Sequence, residues 1–143
     1  MQMLKDKAVR IAIEAHAGQT DKGGMPYIGH VMRVMESGQT EDEKIVGVLH
    51  DLVEDTDWTF DELEQEFPKH IVDALRCLTK TSDGESYDDF IRRIQTNTLA
   101  INVKINDIAD NMDVRRLETL TDDDIVRLKK YHQAYRSLVN FTK

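Results

Sequence analysis

At 143 residues the chain is sized for one domain, residues 1–143, that buries its own core without disulfides or structural zinc. Hydrophobic residues at 40% and charged residues at 32% give an ordinary globular balance, and a net charge of −8 argues against a nucleic-acid polymer or an anionic membrane as partner. The lone Cys77 excludes an intramolecular disulfide and a cysteine-built metal site, and with no apolar leader and no uncharged run long enough to cross a bilayer, the cytoplasm is the expected compartment.

Met3 to Ala17 spaces Leu4, Ala8, Ile11, Ala12 and Ala15 as one face of a helix. Gly18 to Pro26, with its glycines and proline, reads as a loop. A second helix is predicted from about Tyr27 to Ser37, ended by Gly38, and a third from Glu41 to about Glu54, with Thr40 as N-cap and Glu43 in the capping-box position. Thr59 opens a short helix to about Phe67, and Pro68 suits the first turn of the next, up to Leu78. After a loop at 79–85, Ser86 starts a helix with Asp89 in the box position. Asn97 or Thr98 interrupts it before a long segment to Leu117. Thr121, followed by Asp122, Asp123 and Asp124 at the positive end of a helix dipole, starts a last helix to about Asn140. No segment alternates as a strand would. The expected fold class is all-α.

The polar residues inside the third helix carry the chemistry. His50 and Asp51 set a nitrogen and an anionic oxygen ligand side by side, a mixed pair suited to a divalent transition metal, and Glu54-Asp55 follow one turn on. On a straight helix, Ile45, Val48, Leu49, Leu52 and Val53 form an apolar stripe, with Gly47, His50, Asp51 and Glu54 opposite. Gly47 would let a ligand or a neighbouring helix approach. A solvated face is the competing reading, but that side has few cations to pair with its acids. In the long segment after Asn97, Lys104, Asp107 and Asn111 share a face beside the stripe Ile101, Ile105, Ile108 and Met112. Asp107 is a candidate further ligand, although alone such a residue is more often half of an Asp–Lys helical pair. His30, at the start of the second helix, is another nitrogen donor.

His30, His50-Asp51 and Asp107, in that order, resemble the metal stations of HD-domain metal-dependent phosphohydrolases. More narrowly the chain resembles the (p)ppGpp hydrolase domain of the RelA/SpoT family and its small stand-alone alarmone hydrolases. The resemblance runs through Ala15–Gln19, Gly24–His30, Leu49–Thr56 and Val103–Asp107, with Ser86–Ile94 similar to a segment of small bacterial HD proteins. It implies a helical bundle with the metal site between its central helices. His30, His50, Asp51 and Asp107 would hold one divalent ion, typically manganese, with iron, cobalt, nickel or zinc as other possible occupants. It also implies Glu54 and Asp55 as the residues that orient or deprotonate the attacking water, and Lys22, Lys104 and Asn111 as the residues that face the nucleotide or its phosphates.

Two positions depart from that pattern. Asp21 stands where the alarmone hydrolases usually carry the Arg of an Arg–Lys pair, which costs about 1 kcal/mol of binding if an exposed acid faces a polyanion. Asp110 replaces the His usual before Asn111. Both bear on substrate choice and neither on the metal ligands. The activity implied is hydrolysis of the 3′-pyrophosphate of a guanosine tetraphosphate-like nucleotide. The alternatives are a nucleotidase or phosphodiesterase acting on another phosphorylated substrate, and a non-catalytic nucleotide-binding protein. The end of the chain after its last helix leads us to expect no synthetase domain, and the oligomeric state is not legible. His16 reads as a packing residue near the site, His70 and His132 as exposed, Trp58 as an interhelical anchor and Cys77 as a small core residue. Tyr87 reads equally as base-stacking or core, and Arg92 and Arg93 as a solvated face.

Overall fold

The caps decide where the helices begin. In the computed structural model, which describes residues 2–80 and 84–142, Thr40, Thr59, Ser86, Asn97 and Thr121 each accept a hydrogen bond from a backbone N–H in the first turn they precede. Thr59 with Glu62 and Thr121 with Asp124 complete reciprocal boxes. At Thr40 the box is only half made, because the Glu43 carboxylate accepts from Gln39 N instead, at 3.0 Å. Each such cap contributes about 1 kcal/mol. The helices are α1 (Gln2–Ala15), α2 (Ile28–Ser37), α3 (Glu41–Leu49), α4 (Leu52–Asp55), α5 (Phe60–Glu66), α6 (Lys69–Cys77), α7 (Tyr87–Ile94), α8 (Thr98–Asn111) and α9 (Asp122–Phe141), with a 3-10 turn at Val114–Arg116. Among the described residues there is no strand, only an isolated bridge between Thr20 and Pro26 that closes the loop after α1. The fold is an all-α bundle. Of the loop expected at 79–85, residues 81–83 lie outside those described.

Two expected helices stop early. The third does not run to Glu54. At Asp51 the backbone turns to φ −104°, ψ 5°, ending α3 at Leu49 and restarting as α4 at Leu52. The long helix expected to reach Leu117 ends at Asn111, because the Asp113 side chain accepts from Arg115 N at 3.2 Å and holds the chain in a separate 3-10 turn.

Helix α3 is central: α1, α2, α6 and α8 all pack on it. Its Ile45, Val46, Val48 and Leu49 are buried with Val31 and Val34 of α2 and Ile101 and Ile108 of α8 in one continuous core. The α2–α3 contact is close because of Gly47. A Cβ there would lie 3.2 Å from the Met35 backbone N and Cα. The glycine therefore serves a neighbouring helix. His70 and His132 are exposed, Trp58 packs against the core, and Cys77 is half-buried instead of a full core residue. Arg92 lies on a solvated face. Arg93 does not: it donates to the Arg76 and Thr79 carbonyls at 2.7 Å and pairs with Glu85, fastening the end of α6 to α7.

Gly47→Ala tests that contact. Overpacking against backbone costs about 1–3 kcal/mol, against a gain of roughly 1 kcal/mol in helix propensity. We expect net destabilisation of about 1 kcal/mol, read as a lower urea midpoint at unchanged slope. A midpoint at or above the wild-type value would show that α2 yields without cost.

Candidate metal centre

The break at Asp51 makes the site possible. On an unbroken helix adjacent side chains diverge by about 100°, whereas here His50 Nε2 and Asp51 Oδ2 come within 3.0 Å. Helix α2 brings His30 from one side and α8 brings Asp107 from the other. His30 Nε2 lies 2.9 Å and His50 Nε2 3.3 Å from Asp107 Oδ1. One ligand atom from each of His30, His50 and Asp107 lies within 4.8 Å of the others, and all three residues are buried. Asp51 borders this trio, 3.8 Å from His30 Nε2, and accepts a hydrogen bond from the Tyr27 hydroxyl.

The donor set fits a divalent cation. His50 Nδ1 lies 2.6 Å from the Gly47 carbonyl, and a carbonyl only accepts, so Nδ1 carries the proton and Nε2 faces the cluster. Despite its acidic neighbours, that buried Nε2 makes no hydrogen bond. Two nitrogens and a carboxylate aimed at one point are a donor set that suits a divalent cation. The solvated-face reading is excluded: His50 is 3% and Asp107 4% exposed.

The surroundings prepare the ligands. Burial works against the Asp107 carboxylate, but Lys104, then His50 and His30, hold it well below the usual carboxylate range. Lys104 Nζ donates to Asp107 Oδ2 at 2.9 Å, and Asn111 Nδ2 to Oδ1 at 3.0 Å. Both residues line the adjoining cavity. For His50, burial lowers the pKa, and Asp51 and Asp107 raise it well above the ordinary imidazole value. For His30, burial likewise lowers it, and Asp107 and Asp110 bring the balance above that value. His16 is buried beside the centre, its ring 5.3 Å from that of Tyr27, and is a packing neighbour as expected.

A cavity of about 520 Å³ adjoins the cluster, with Asp51, Glu54, Asp55 and Asp107 among its lining residues. Burial, then Asp51 and Glu54, push the Asp55 carboxyl up. Glu54 is exposed and accepts from Lys80 N at 3.0 Å. Lys22 lines the same space. So do Lys80, Arg116, Arg127, Lys130 and Tyr131, which sequence reasoning did not single out. Helix α9 supplies the last three, spaced three and four apart, and that spacing was the one available signal.

A model of the HD domain matches residues 8–127. The chain belongs to the HD-domain family. With the His/His/Asp cluster in place, this sets it among HD-type metal-dependent phosphohydrolases related to the RelA/SpoT proteins. Similar curated proteins include a guanosine-3′,5′-bis(diphosphate) 3′-pyrophosphohydrolase of Aquifex aeolicus, 29% identical over 117 residues, 74% of this chain and 17% of that one. The bifunctional (p)ppGpp synthase/hydrolase SpoT of Escherichia coli K12 is 28% identical over 138 residues, 87% of this chain and 19% of that one. The HD chain thus spans less than a fifth of these relatives' length. A solved structure of a metazoan SpoT orthologue that hydrolyses ppGpp shares the fold, with a TM-score of 0.75 at 20% identity over 94% of this chain and 84% of that one. No helix among the described residues is long and apolar enough to cross a membrane.

The raised imidazole values predict how metal uptake responds to pH. Protons on His30 and His50 stabilise the metal-free fold below the unfolded value of 6.5, and that contribution is lost as pH rises through the higher folded values. An incoming cation must expel those protons. Mn²⁺ affinity is therefore expected to weaken as pH falls from about 8 toward 6.5, with protons released on binding. Calorimetry in buffers of different ionisation enthalpy measures both; affinity flat across that range would contradict the protonated resting state.

Proposed function

We propose that this HD protein is a manganese-dependent hydrolase that removes the 3′-pyrophosphate of a ppGpp-like guanine nucleotide, with His30, His50, Asp51 and Asp107 as the ligand set. The observation that carries this reading is a set of unpaired cations in the cavity beside the metal cluster. Asp51 and Asp107 border it next to the imidazoles, and although Asp21, Asp113 and Asp124 line it as well, Lys22, Lys80 and Lys130 have no ion-pair partner within 4.0 Å among the described residues. Partial burial, then Lys80, Lys104, Arg127 and Lys22, push the Lys130 ammonium below its ordinary value. A group of cations without ion-pair partners favours a ligand bearing several negative charges. Tyr87 adds an aromatic wall with Lys130 Nζ 4.6 Å above its ring, and its buried hydroxyl has no partner. A nucleotide polyphosphate supplies both a base and the charges.

When bound, the divalent ion supplies positive charge that stabilises developing phosphoryl charge and makes water more acidic. The protein's own part is orientation and proton handling. Asp55, its proton affinity raised by partial burial and by Asp51 and Glu54, accepts a proton at its carboxylate more readily than an isolated aspartate does. Glu54, steadied by Lys80 N, orients water beside it. Lys104 and Asn111 keep Asp107 ionised and fixed, and Lys22, Lys80 and Lys130 bind the phosphates.

A second reading, a nucleotidase or phosphodiesterase acting on a different phosphorylated substrate, draws on Asp21. Its Oδ1 accepts from Gly23 N at 2.9 Å and Met25 N at 3.0 Å, so the residue braces its own loop where an arginine would reach a base.

The purified protein with Mn²⁺ is expected to release pyrophosphate from ppGpp, followed by ³¹P NMR, and His50→Ala or Asp51→Ala to abolish release. Orthophosphate release from a nucleotide panel would favour the second reading, and tight binding without turnover a non-catalytic role. Asp55→Asn is expected to lower kcat by about 10²- to 10⁴-fold. Lys130→Ala is expected to raise KM roughly tenfold with little change in kcat, the loss of one charge-assisted phosphate contact. A Lys130→Ala enzyme with unchanged KM would remove α9 from the binding surface.

A further inference from the structure

The substitution at 110 falls on the metal centre from behind. Asp110 Oδ2 lies 2.7 Å from His30 Nδ1, the ring nitrogen opposite the one that faces Asp107 and His50. A carboxylate only accepts, so the bond requires Nδ1–H and leaves Nε2 as the ligating atom. The carboxylate is itself clamped. Arg33, one turn after His30 on α2, donates from Nε to Asp110 Oδ1 at 2.7 Å and from a terminal nitrogen to Oδ2 at 3.2 Å. Arg116, from the 3-10 turn, donates to the Asp110 backbone carbonyl at 2.9 Å and reaches the carboxylate at 3.4 Å.

The two imidazoles are therefore oriented by different chemistry. A neutral carbonyl, Gly47 O, holds His50, whereas an anion fixed by two guanidiniums holds His30. An anionic partner raises the basicity of the far nitrogen as well as fixing its direction. Two guanidiniums on the Asp110 carboxylate keep that partner an anion. Three elements (α2, α8 and the 3-10 turn) meet at this one side chain.

We propose that Asp110, locked by Arg33 and Arg116, is a positioning residue that fixes the ring and tautomer of His30 and so sets the metal affinity of the site. The inference rests on reading His30, His50 and Asp107 as metal ligands. The competing account is a structural one, in which the Asp110–Arg33 pair only ties α8 to α2. That pair is partly exposed, and such pairs contribute little to stability.

Imidazole ¹⁵N NMR of the Zn²⁺-loaded wild-type protein reads the tautomer directly and needs no variant. His30 is expected to ligate through Nε2 with Nδ1 protonated; ligation through Nδ1, or an unprotonated Nδ1, would overturn the proposal. In Asp110→Asn, Mn²⁺ affinity by calorimetry is expected to fall about 10- to 100-fold. The metal-free melting midpoint should move little, and KM at saturating metal should stay near the wild-type value. Wild-type Mn²⁺ affinity in Asp110→Asn, or a loss explained by a collapsed metal-free midpoint, would leave only the structural tie. Failure of the wild-type protein to take up either ion would instead sink the metal reading itself, so the two failures are distinguishable.

Discussion

The structure depends on keeping one carboxylate charged in a place where water cannot help it. Asp107 is 4% exposed at the point where α2, α3 and α8 meet. An uncompensated anion there would cost several kcal/mol and would take up a proton instead. Lys104 sits on one oxygen, Asn111 on the other, and both imidazoles lie within 3.3 Å of that second oxygen. Lys104 and Asn111 come from the same helix as Asp107, spaced so that all three share a face. Compensation is thus built into α8 before any other helix docks. What the other helices must bring is nitrogen, and that requirement fixes where α2 and α3 sit relative to α8.

Two backbone features meet it. Gly47 lets α2 approach α3 to a distance that a Cβ would oppose, which carries His30 toward His50. The turn at Asp51 then points His50 and its successor at the same space. The Gly47 carbonyl serves twice over, since it also accepts from His50 Nδ1. The residue that admits the neighbouring helix therefore also orients the ligand. A change at this one position acts on packing and on coordination geometry together.

What was legible in the sequence follows from range. Caps act over three residues, so Thr40, Thr59, Ser86 and Thr121 announced their helices, while the cap at Asn97 was legible only as an interruption at Asn97 or Thr98, and the i, i+3, i+7 spacing of Lys104, Asp107 and Asn111 announced a shared face. The break after Leu49 was not legible, because Leu-His-Asp-Leu-Val carries no Gly or Pro and its residues are ordinary helix formers. Tertiary contact decides it. Asp110 stood out only as a mismatch to a familiar pattern; its partners His30 and Arg33 lie 80 and 77 residues away, and no local rule reaches that far. The same holds for Arg127, Lys130 and Tyr131, which enter the cavity only because α9 packs along α8.

The placement of cations follows from the chain's overall charge. With 19 lysines and arginines against 27 acids, a chance surface would leave most cations beside an acid. Instead Lys22 from the first loop, Lys80 after α6 and Lys130 from α9 line one cavity without ion-pair partners among the described residues, and partial burial, then the neighbouring cations, depress the Lys130 ammonium. Such convergence lowers the stability of the ligand-free fold through self-repulsion, and α9 makes its core contacts through other residues, Tyr131, Ala134, Tyr135 and Leu138. A local arrangement that works against folding marks a place where a ligand completes the structure.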